Sequence, residues 1–279
     1  MFLEIIKFII YSALIVLISK YILVTTLRKL AESLKLKPKT VGNIAGYATS
    51  IPELLTITTS SLRGLSGASV YNIISSNVIN FIQYIGAILL NKNVDKIKNR
   101  AIITDIILVI FTILIPIVLL KMNIELNIMI VPIFVILYIL FRVINDNVHK
   151  MYLKNEDEKI EHEIEVEEEK ESKNRFQTIK YIIYLVITGF LLYFVGDKLG
   201  NTLETLCKLF NISEAIIGIL LGFITSIPEL MTFFDSQKYY KKEDDDMLGV
   251  VEATNNLLTS NILNLFAIQT IGILITSIL

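Results

Sequence analysis

The hexapeptide Thr49-Ser50-Ile51-Pro52-Glu53-Leu54 occurs a second time as Thr225-Ser226-Ile227-Pro228-Glu229-Leu230, and each copy lies inside an apolar stretch long enough to cross a bilayer. A proline in mid-helix removes one backbone donor and presses on the preceding turn. The helix breaks or kinks there, leaving carbonyls free beside two hydroxyls and a carboxylate. That is the chemistry of a cation site built from oxygen. A proline kink with a buried, protonated glutamate is the plainer reading of one copy alone. Ionisable groups at membrane depth are costly, however, and paired broken helices in the two halves of a chain point to a transporter's binding site.

The repeat extends on both sides of the hexapeptide. Gly42 and Gly46 match Gly218 and Gly222 in register, and small residues four apart let two helices approach closely. Downstream, Asn72, Ser75, Ser76, Asn77 and Asn80 are matched by Asn256, Thr259, Ser260, Asn261 and Asn264. At a spacing of four, Asn72, Ser76 and Asn80 share one helical face, as do Asn256, Ser260 and Asn264. Each half thus supplies a polar stripe able to face the partner half's broken helix as ligands. Amides that merely hydrogen-bond helices together, at about 1 kcal/mol apiece, are the alternative. That alternative suits Asn77 and Asn261, which point off the stripe.

Placing these groups requires membrane-spanning helices. With about 20 residues needed per crossing, the apolar runs predict spans at 4–26, 39–62, 67–90, 101–120 and 125–145, then 176–197, 212–236 and 246–274, about eight in all. The first connection carries Arg28, Lys29, Lys35, Lys37 and Lys39, the third Lys92, Lys96, Lys98 and Arg100, and the seventh Lys238, Lys241 and Lys242. The connections between them hold only Arg63, then Lys121, then Lys198 and Lys208. Basic loops face the cytoplasm, so the N-terminus is expected outside. Five spans precede the second half, so its repeat is threaded in the opposite direction. The expected organisation is a first repeat at 1–145, an acidic cytoplasmic linker at 146–175 and a second, inverted repeat of three spans at 176–279. The linker holds Glu156-Asp157-Glu158 and the run from Glu161 to Glu171, has too little apolar content to bury a core, and has no calcium-loop spacing with a turn glycine. Asp244-Asp245-Asp246 is read as solvating a span end, and Asn211-Ile212-Ser213 fits a glycosylation acceptor on the outer side.

Composition narrows the class. In 279 residues 53% are hydrophobic, and the mean hydropathy is +0.63, which describes an integral membrane protein and not a soluble core. The net charge of −1 says nothing about partners; inorganic cations and the bilayer, and no nucleic acid, are the expected ones. A single cysteine, Cys207, and two histidines, His149 and His162, both read as lying in a polar loop, leave no material for zinc or Cys/His chemistry. With no HExxH and no paired nucleophile and base, no enzyme and no cofactor are expected. The first apolar segment lacks a cleavage site and reads as a retained span.

Two inverted halves, each with a Thr-Ser-x-Pro-Glu helix followed by a Ser-Asn-x-x-Asn helix, resemble the repeats of the cation/calcium exchanger superfamily, in particular the sodium/calcium exchangers. The resemblance covers about 40–90 and 212–270. It implies that Glu53 and Glu229 are the central carboxylates. Thr49, Ser50, Thr225 and Ser226 would add backbone and hydroxyl oxygens, and Ser76, Asn80, Ser260 and Asn264 would complete the site. The transported ions would be Ca2+ and Na+. The chain departs from the family where Ala48 and Ile224 precede the Thr-Ser pairs, and where Ser75 and Thr259 replace glycine, which predicts looser or shifted packing. Asn264 stands where some relatives carry Asp, which argues against potassium co-transport. The family usually has ten spans, so counterparts of 101–120 and 125–145 are missing from the second half, and a homo-oligomer is the expected cover for that flank.

The ion class follows from the residues as well. Calcium takes six to eight oxygens, two glutamates neutralise it, and sodium can use the same ligands. Competition for one ligand set couples the fluxes if the empty, doubly anionic site cannot rock between faces. The first and sixth spans, which carry no polar stripe, are the expected gate, by resemblance. A proton/calcium exchanger of the same fold and a cation channel remain the alternatives, and the cell membrane is the expected location.

Overall fold

The computed structural model describes residues 2–34, 36–122, 124, 126–152, 175–211, 213–242 and 245–279. All regular elements among them are helical. In chain order they are α1 (Phe2–Ile18), a π-helical stretch Ser19–Val24, α2 (Thr25–Ser33), α3 (Pro38–Thr49), α4 (Ile51–Leu62) and α5 (Ser66–Leu90). Then come α6 (Arg100–Lys121), α7 (Val131–Tyr152), α8 (Arg175–Phe210), α9 (Glu214–Thr225), α10 (Ile227–Lys242) and α11 (Asp246–Ile262). A second π-helical stretch, Leu263–Ile268, leads into α12 (Gln269–Ile278).

Among the described residues, seven helical segments are long and apolar enough to cross a membrane. The eighth expected span is the pair α3 and α4, which is less apolar because α3 carries Pro38, Lys39 and Asn43 and α4 carries Glu53 and the hydroxyls of Thr56, Thr58, Thr59, Ser60 and Ser61. The ends differ from the expected ones for local reasons. Asn99 accepts a hydrogen bond from Ala101 N (2.9 Å) and Asp245 one from Leu248 N (3.3 Å), starting α6 and α11. The sixth span does not stop near residue 197 but runs on to Phe210, where Asn211 (φ 48°) ends it in the left-handed region that asparagine tolerates. Asn211 therefore has a helix-stopping role irrespective of any glycosylation. The fifth span continues to Tyr152, so His149 is in a helix and not in a loop. The acidic runs at 156–158 and 161–171, His162 and Asp244 lie outside the described residues.

The two repeats are exchanged against one another. α3 of the first packs on α11 of the second, and α9 of the second packs on α5 of the first. The paired glycines make both contacts. A methyl placed on Gly46 would come 2.7 Å from Thr259 Cβ and 2.8 Å from Asn256 O, and one on Gly218 would come 2.5 Å from Ala68 O. Gly222 abuts Ser75 in the same way. The packing is therefore not loosened at Ser75 and Thr259: each sits against a glycine of the partner repeat, which leaves room for the larger side chain. Overpacking at such a contact costs about 1–3 kcal/mol. Gly222→Val should lower the thermal unfolding midpoint in detergent accordingly, and an unshifted midpoint would show the contact to be slack.

α11 is the central strut, with every residue from Gly249 to Ile262 buried among α3, α5, α6 and α10. α1, α2 and α8 form a second layer around Ile15, Leu23, Leu192, Leu199 and Leu203. The first span is not a plain apolar rod: Ser12 and Ser19 are buried in it, and its middle is π-helical. Two ion pairs tie this layer to the rest at opposite ends, Arg28–Glu252 (3.1 Å) from α2 to α11 and Arg63–Asp197 (3.2 Å) from the end of α4 to α8.

Candidate cation site

Both hexapeptides break their helices at the serine. Ser50 (φ −81°, ψ 0°) separates α3 from α4, and Ser226 (φ −78°, ψ −3°) separates α9 from α10. The prolines fall in the first turn of the second half-helix, where a missing N–H is tolerated. They leave the carbonyls four residues back, on Ala48 and Ile224, without their helical donor. Glu53 and Glu229 follow one residue later and are wholly buried.

The ten residues implied by sequence come from six helices (α3, α4, α5, α9, α10 and α11), the two breaks and the second π-helical stretch, and all are buried. Ser260 Oγ donates to Glu229 Oε1 (3.0 Å) and lies 2.9 Å from Ser50 Oγ, so one hydroxyl joins the second carboxylate to the first repeat's break. Asn80 Nδ2 reaches Ser260 Oγ (3.4 Å) and Asn261 Oδ1 (3.3 Å), and Asn264 Nδ2 donates to Asn77 Oδ1 (3.2 Å). Thr225 faces Glu53 and Thr49 faces Glu229, each across the boundary between repeats, and the two carboxylates are close enough to interact electrostatically. Ser76 and Ser226 are turned toward their own helices, onto Asn72 O (2.7 Å) and Gly222 O (2.7 Å). Asn77 and Asn261 exchange reciprocal bonds to each other's backbone, Nδ2 to O at 3.2 and 3.1 Å, and clamp α5 to α11.

These bonds leave a particular set of atoms over. Both carboxylate oxygens of Glu53, Oε2 of Glu229, Oγ1 of Thr225 and the amide oxygens of Asn80 and Asn264 are buried without a hydrogen-bond partner. Both asparagines use their N–H side and keep the carbonyl oxygen free. Buried polar atoms are normally paired; these six oxygens, from both repeats, are left without donors and are the atoms available to a candidate cage. Among the described residues no three His, Cys, Asp or Glu side chains cluster, so the cage consists of two carboxylates and neutral oxygens. A cavity of about 380 Å³ between α2 and α10, lined by Arg28, Pro228, Thr232 and Tyr239 among others, reaches the helix that carries Glu229.

Several residues around the cage went unread in the sequence. Asn72 Nδ2 donates to Thr56 Oγ1 (2.7 Å), which bonds Glu53 O (3.0 Å). In the second half Asn256 donates to Thr232 Oγ1, which bonds Glu229 O (2.8 Å). Both threonines lie three residues after the glutamate, a spacing that was visible in the repeat. Behind α11, Asp105 Oδ2 and His149 Nε2 lie 2.6 Å apart, and Asn145 Nδ2 links Asp105 Oδ1 (2.8 Å) to Asn255 Oδ1 (3.4 Å). Arg142, in mid-span on α7, donates to Thr259 Oγ1 (3.0 Å) and Tyr47 Oη (2.9 Å), so Thr259 replaces glycine with a bonded group. No repeat signals the Asp105 and Arg142 networks, because α6 and α7 have no counterpart in the described second half.

The match to known proteins follows the same outline. Comparison with curated protein sequences gives no match. Among solved structures, the sodium-calcium exchanger NCX_Mj soaked with 100 mM Na+ and 10 mM Sr2+ is 19% identical over 99% of this chain and 83% of that one, with a TM-score of 0.57. The same exchanger at 10 mM Na+ and zero Ca2+ is 20% identical over 99% and 84%, with a TM-score of 0.55. At this identity the likeness is one of fold. The family model described as sodium/calcium exchanger protein matches residues 5–145 and 180–279, which takes in both broken helices and both polar stripes. On that match, running through both repeats of an inverted-repeat membrane fold, the chain belongs to the sodium/calcium exchanger family.

Proposed function

We propose that the six-oxygen cage is the ion site of a sodium/calcium antiporter working by alternating access. Glu53, Glu229, Thr49, Ser50, Thr225, Ser226, Ser76, Asn80, Ser260 and Asn264 supply its ligands and its lining. The observation that carries this reading is the set of six buried oxygens without donors, since calcium takes six to eight oxygens at flexible geometry. Two carboxylates neutralise one calcium, and sodium ions compete for the same oxygens. An empty cage keeps two negative charges together in a low dielectric and resists the rearrangement that would carry it across, so each crossing is made loaded.

In this reading α1, α2 and α8 slide against the rest. Arg28–Glu252 and Arg63–Asp197 sit at opposite faces, so opening one side breaks one ion pair while the other holds. The basic connections support a cell-membrane orientation with the N-terminus outside and the acidic linker cytoplasmic. A second copy of the chain is the proposed neighbour of the lipid-facing side of α5, where Tyr71, Ile82 and Leu89 are exposed.

Uptake of radiolabelled calcium into proteoliposomes under imposed sodium, proton or potassium gradients tests the function. Calcium flux driven by sodium is expected. Flux driven by pH alone would make the protein a proton/calcium exchanger, and conductance without coupling would make it a channel. Exchange of one calcium for more than two sodium ions moves net charge, and voltage should bias it at about 2.3 kcal/mol per charge per 100 mV. Asn264→Asp adds a hard anionic oxygen. It should retain calcium binding while making uptake more sensitive to protons or potassium. An ion selectivity and pH profile identical to the unmodified chain would reduce Asn264 to a packing residue.

A further inference from the structure

We propose that Glu252 is a cation-binding carboxylate on the path between the cage and the cytoplasmic face, and that the Arg28 guanidinium occupies it as a tethered cation while that face is closed. The inference rests on the reading of the cage as a transport site and adds to it a residue that neither repeated motif contains.

α3 and α11 run side by side in the same direction. Gly42 faces the carbonyl of Glu252, Gly46 faces that of Asn256, and Ser50 Oγ meets Ser260 Oγ at 2.9 Å. Glu252 therefore extends the stripe of Asn256 and Ser260 by one more turn. It lies about 12 Å along the helix from Ser260, on the side of α2 and its basic connection. The first repeat has Ala68 at the matching position, so only the second repeat carries this carboxylate. Glu252 is 2% exposed, and a carboxylate so buried needs a compensating charge. Arg28 Nη2 supplies it from 3.1 Å of Oε1 and 3.3 Å of Oε2, with the guanidinium 4.9 Å over the Tyr239 ring.

Beside this pair lies a cavity of about 20 Å³, lined by Arg28, Thr232 and Glu252 and otherwise by apolar side chains of α2, α3 and the first π-helical stretch. It has room for one water-sized particle, and a bare sodium or calcium ion is no larger. Thr232 also lines the larger cavity between α2 and α10, and its Oγ1 accepts from Asn256 and donates to Glu229 O (2.8 Å). The small cavity thus stands between the opening and the cage. The larger one carries Lys20, Lys29 and Lys238 against Asp235, so its mouth is net positive and does not collect cations. The buried carboxylate next inward is Glu252. Arg28 keeps its charge at any working pH, and α2, which carries it, belongs to the sliding layer. Its withdrawal leaves Glu252 bare in a low dielectric, and an ion entering the small cavity restores neutrality. The return of Arg28 displaces that ion. A plain latch between two helices needs neither the cavity nor the continued stripe.

The test measures half-saturating calcium at the cytoplasmic face, in inside-out vesicles holding the full chain, for the unmodified protein, Arg28→Gln and Glu252→Gln. Arg28→Gln should lower the half-saturating concentration about tenfold, because only the ion is left to neutralise Glu252. Glu252→Gln should raise it, because the carboxylate that receives the ion is gone and the guanidinium stays. The two partners of one ion pair thus move the same quantity in opposite directions. A shift in the same direction in both variants would overturn the proposal, since a plain latch is broken equally from either side. Unchanged values in both would also overturn it and leave a structural ion pair. If Arg28→Gln does not fold, the sign of the change in Glu252→Gln decides, a rise supporting the proposal and a fall overturning it. If the unmodified chain shows no sodium-driven calcium flux, the antiport reading fails. Equilibrium binding of radiolabelled calcium to the same three proteins in detergent then decides the role of Glu252 by the same rule of opposite or equal shifts.

Discussion

Glu53→Gln and Glu229→Gln should each abolish calcium uptake in proteoliposomes while leaving a folded, monodisperse protein. Removing one carboxylate leaves a divalent ion half-neutralised in a buried site, and uncompensated buried charge costs about 3–5 kcal/mol. At about 1.4 kcal/mol per factor of ten, the calcium affinity falls by about two to three and a half orders of magnitude. The two positions should differ in kind. Glu53 has both oxygens without partners, whereas Glu229 already accepts from Ser260. The glutamine at 229 therefore also disturbs the hydroxyl link from Ser260 to Ser50. Uptake at the unmodified rate by either variant would refute the cage as the transport site.

The second large effect is on stability. Asp105→Ala should lower the unfolding free energy by about 1–3 kcal/mol for each buried partner it leaves without a hydrogen bond, His149 and Asn145. Asp105 and His149 are both buried and bonded at 2.6 Å, and the same carboxylate holds Asn145 against Asn255 of α11. Removing it strands an imidazole and an amide behind the helix that carries Asn256, Ser260 and Asn264. A thermal melt in detergent reads the loss. In an Asp105→Ala, His149→Leu double variant, which has no stranded imidazole, part of the loss should return. An unchanged midpoint for the single variant would mean that the network contributes nothing to holding α11.

Much of this was legible in sequence because the molecule states it twice. The two hexapeptides placed both breaks, and the four-residue spacing of Asn72, Ser76, Asn80 and of Asn256, Ser260, Asn264 placed both stripes. The charge asymmetry of the loops opposed the two copies. What repeats cannot carry was missed. Thr56 and Thr232 do repeat, three residues after each glutamate, but went unread because their role depends on an asparagine from the next helix. Asp105, His149 and Arg142 lie on helices without a repeat partner, and His149 was read into a loop because apolar content falls before the helix ends. The reading of Ser75 and Thr259 as loosening residues failed because it considered one side of a contact whose other side is a glycine. Glu252 was passed over because its counterpart in the first repeat is Ala68, so the repeat does not mark it.

The exchange of helices between repeats also sets an order of events during synthesis. Thr49 meets Asn256, and Ser50 meets Ser260, across 207 and 210 positions of chain. α3 therefore enters the bilayer long before its partner has left the ribosome, and its glycine-lined face has only lipid or other early helices to meet. Contacts at such separation form late, because the intervening chain must be closed before they are rewarded. α11 and the π-helical stretch after it follow α3, α5 and α9 in the chain and carry Ser260 and Asn264, so a product of translation that stops before α11 lacks the candidate oxygens that these two residues supply.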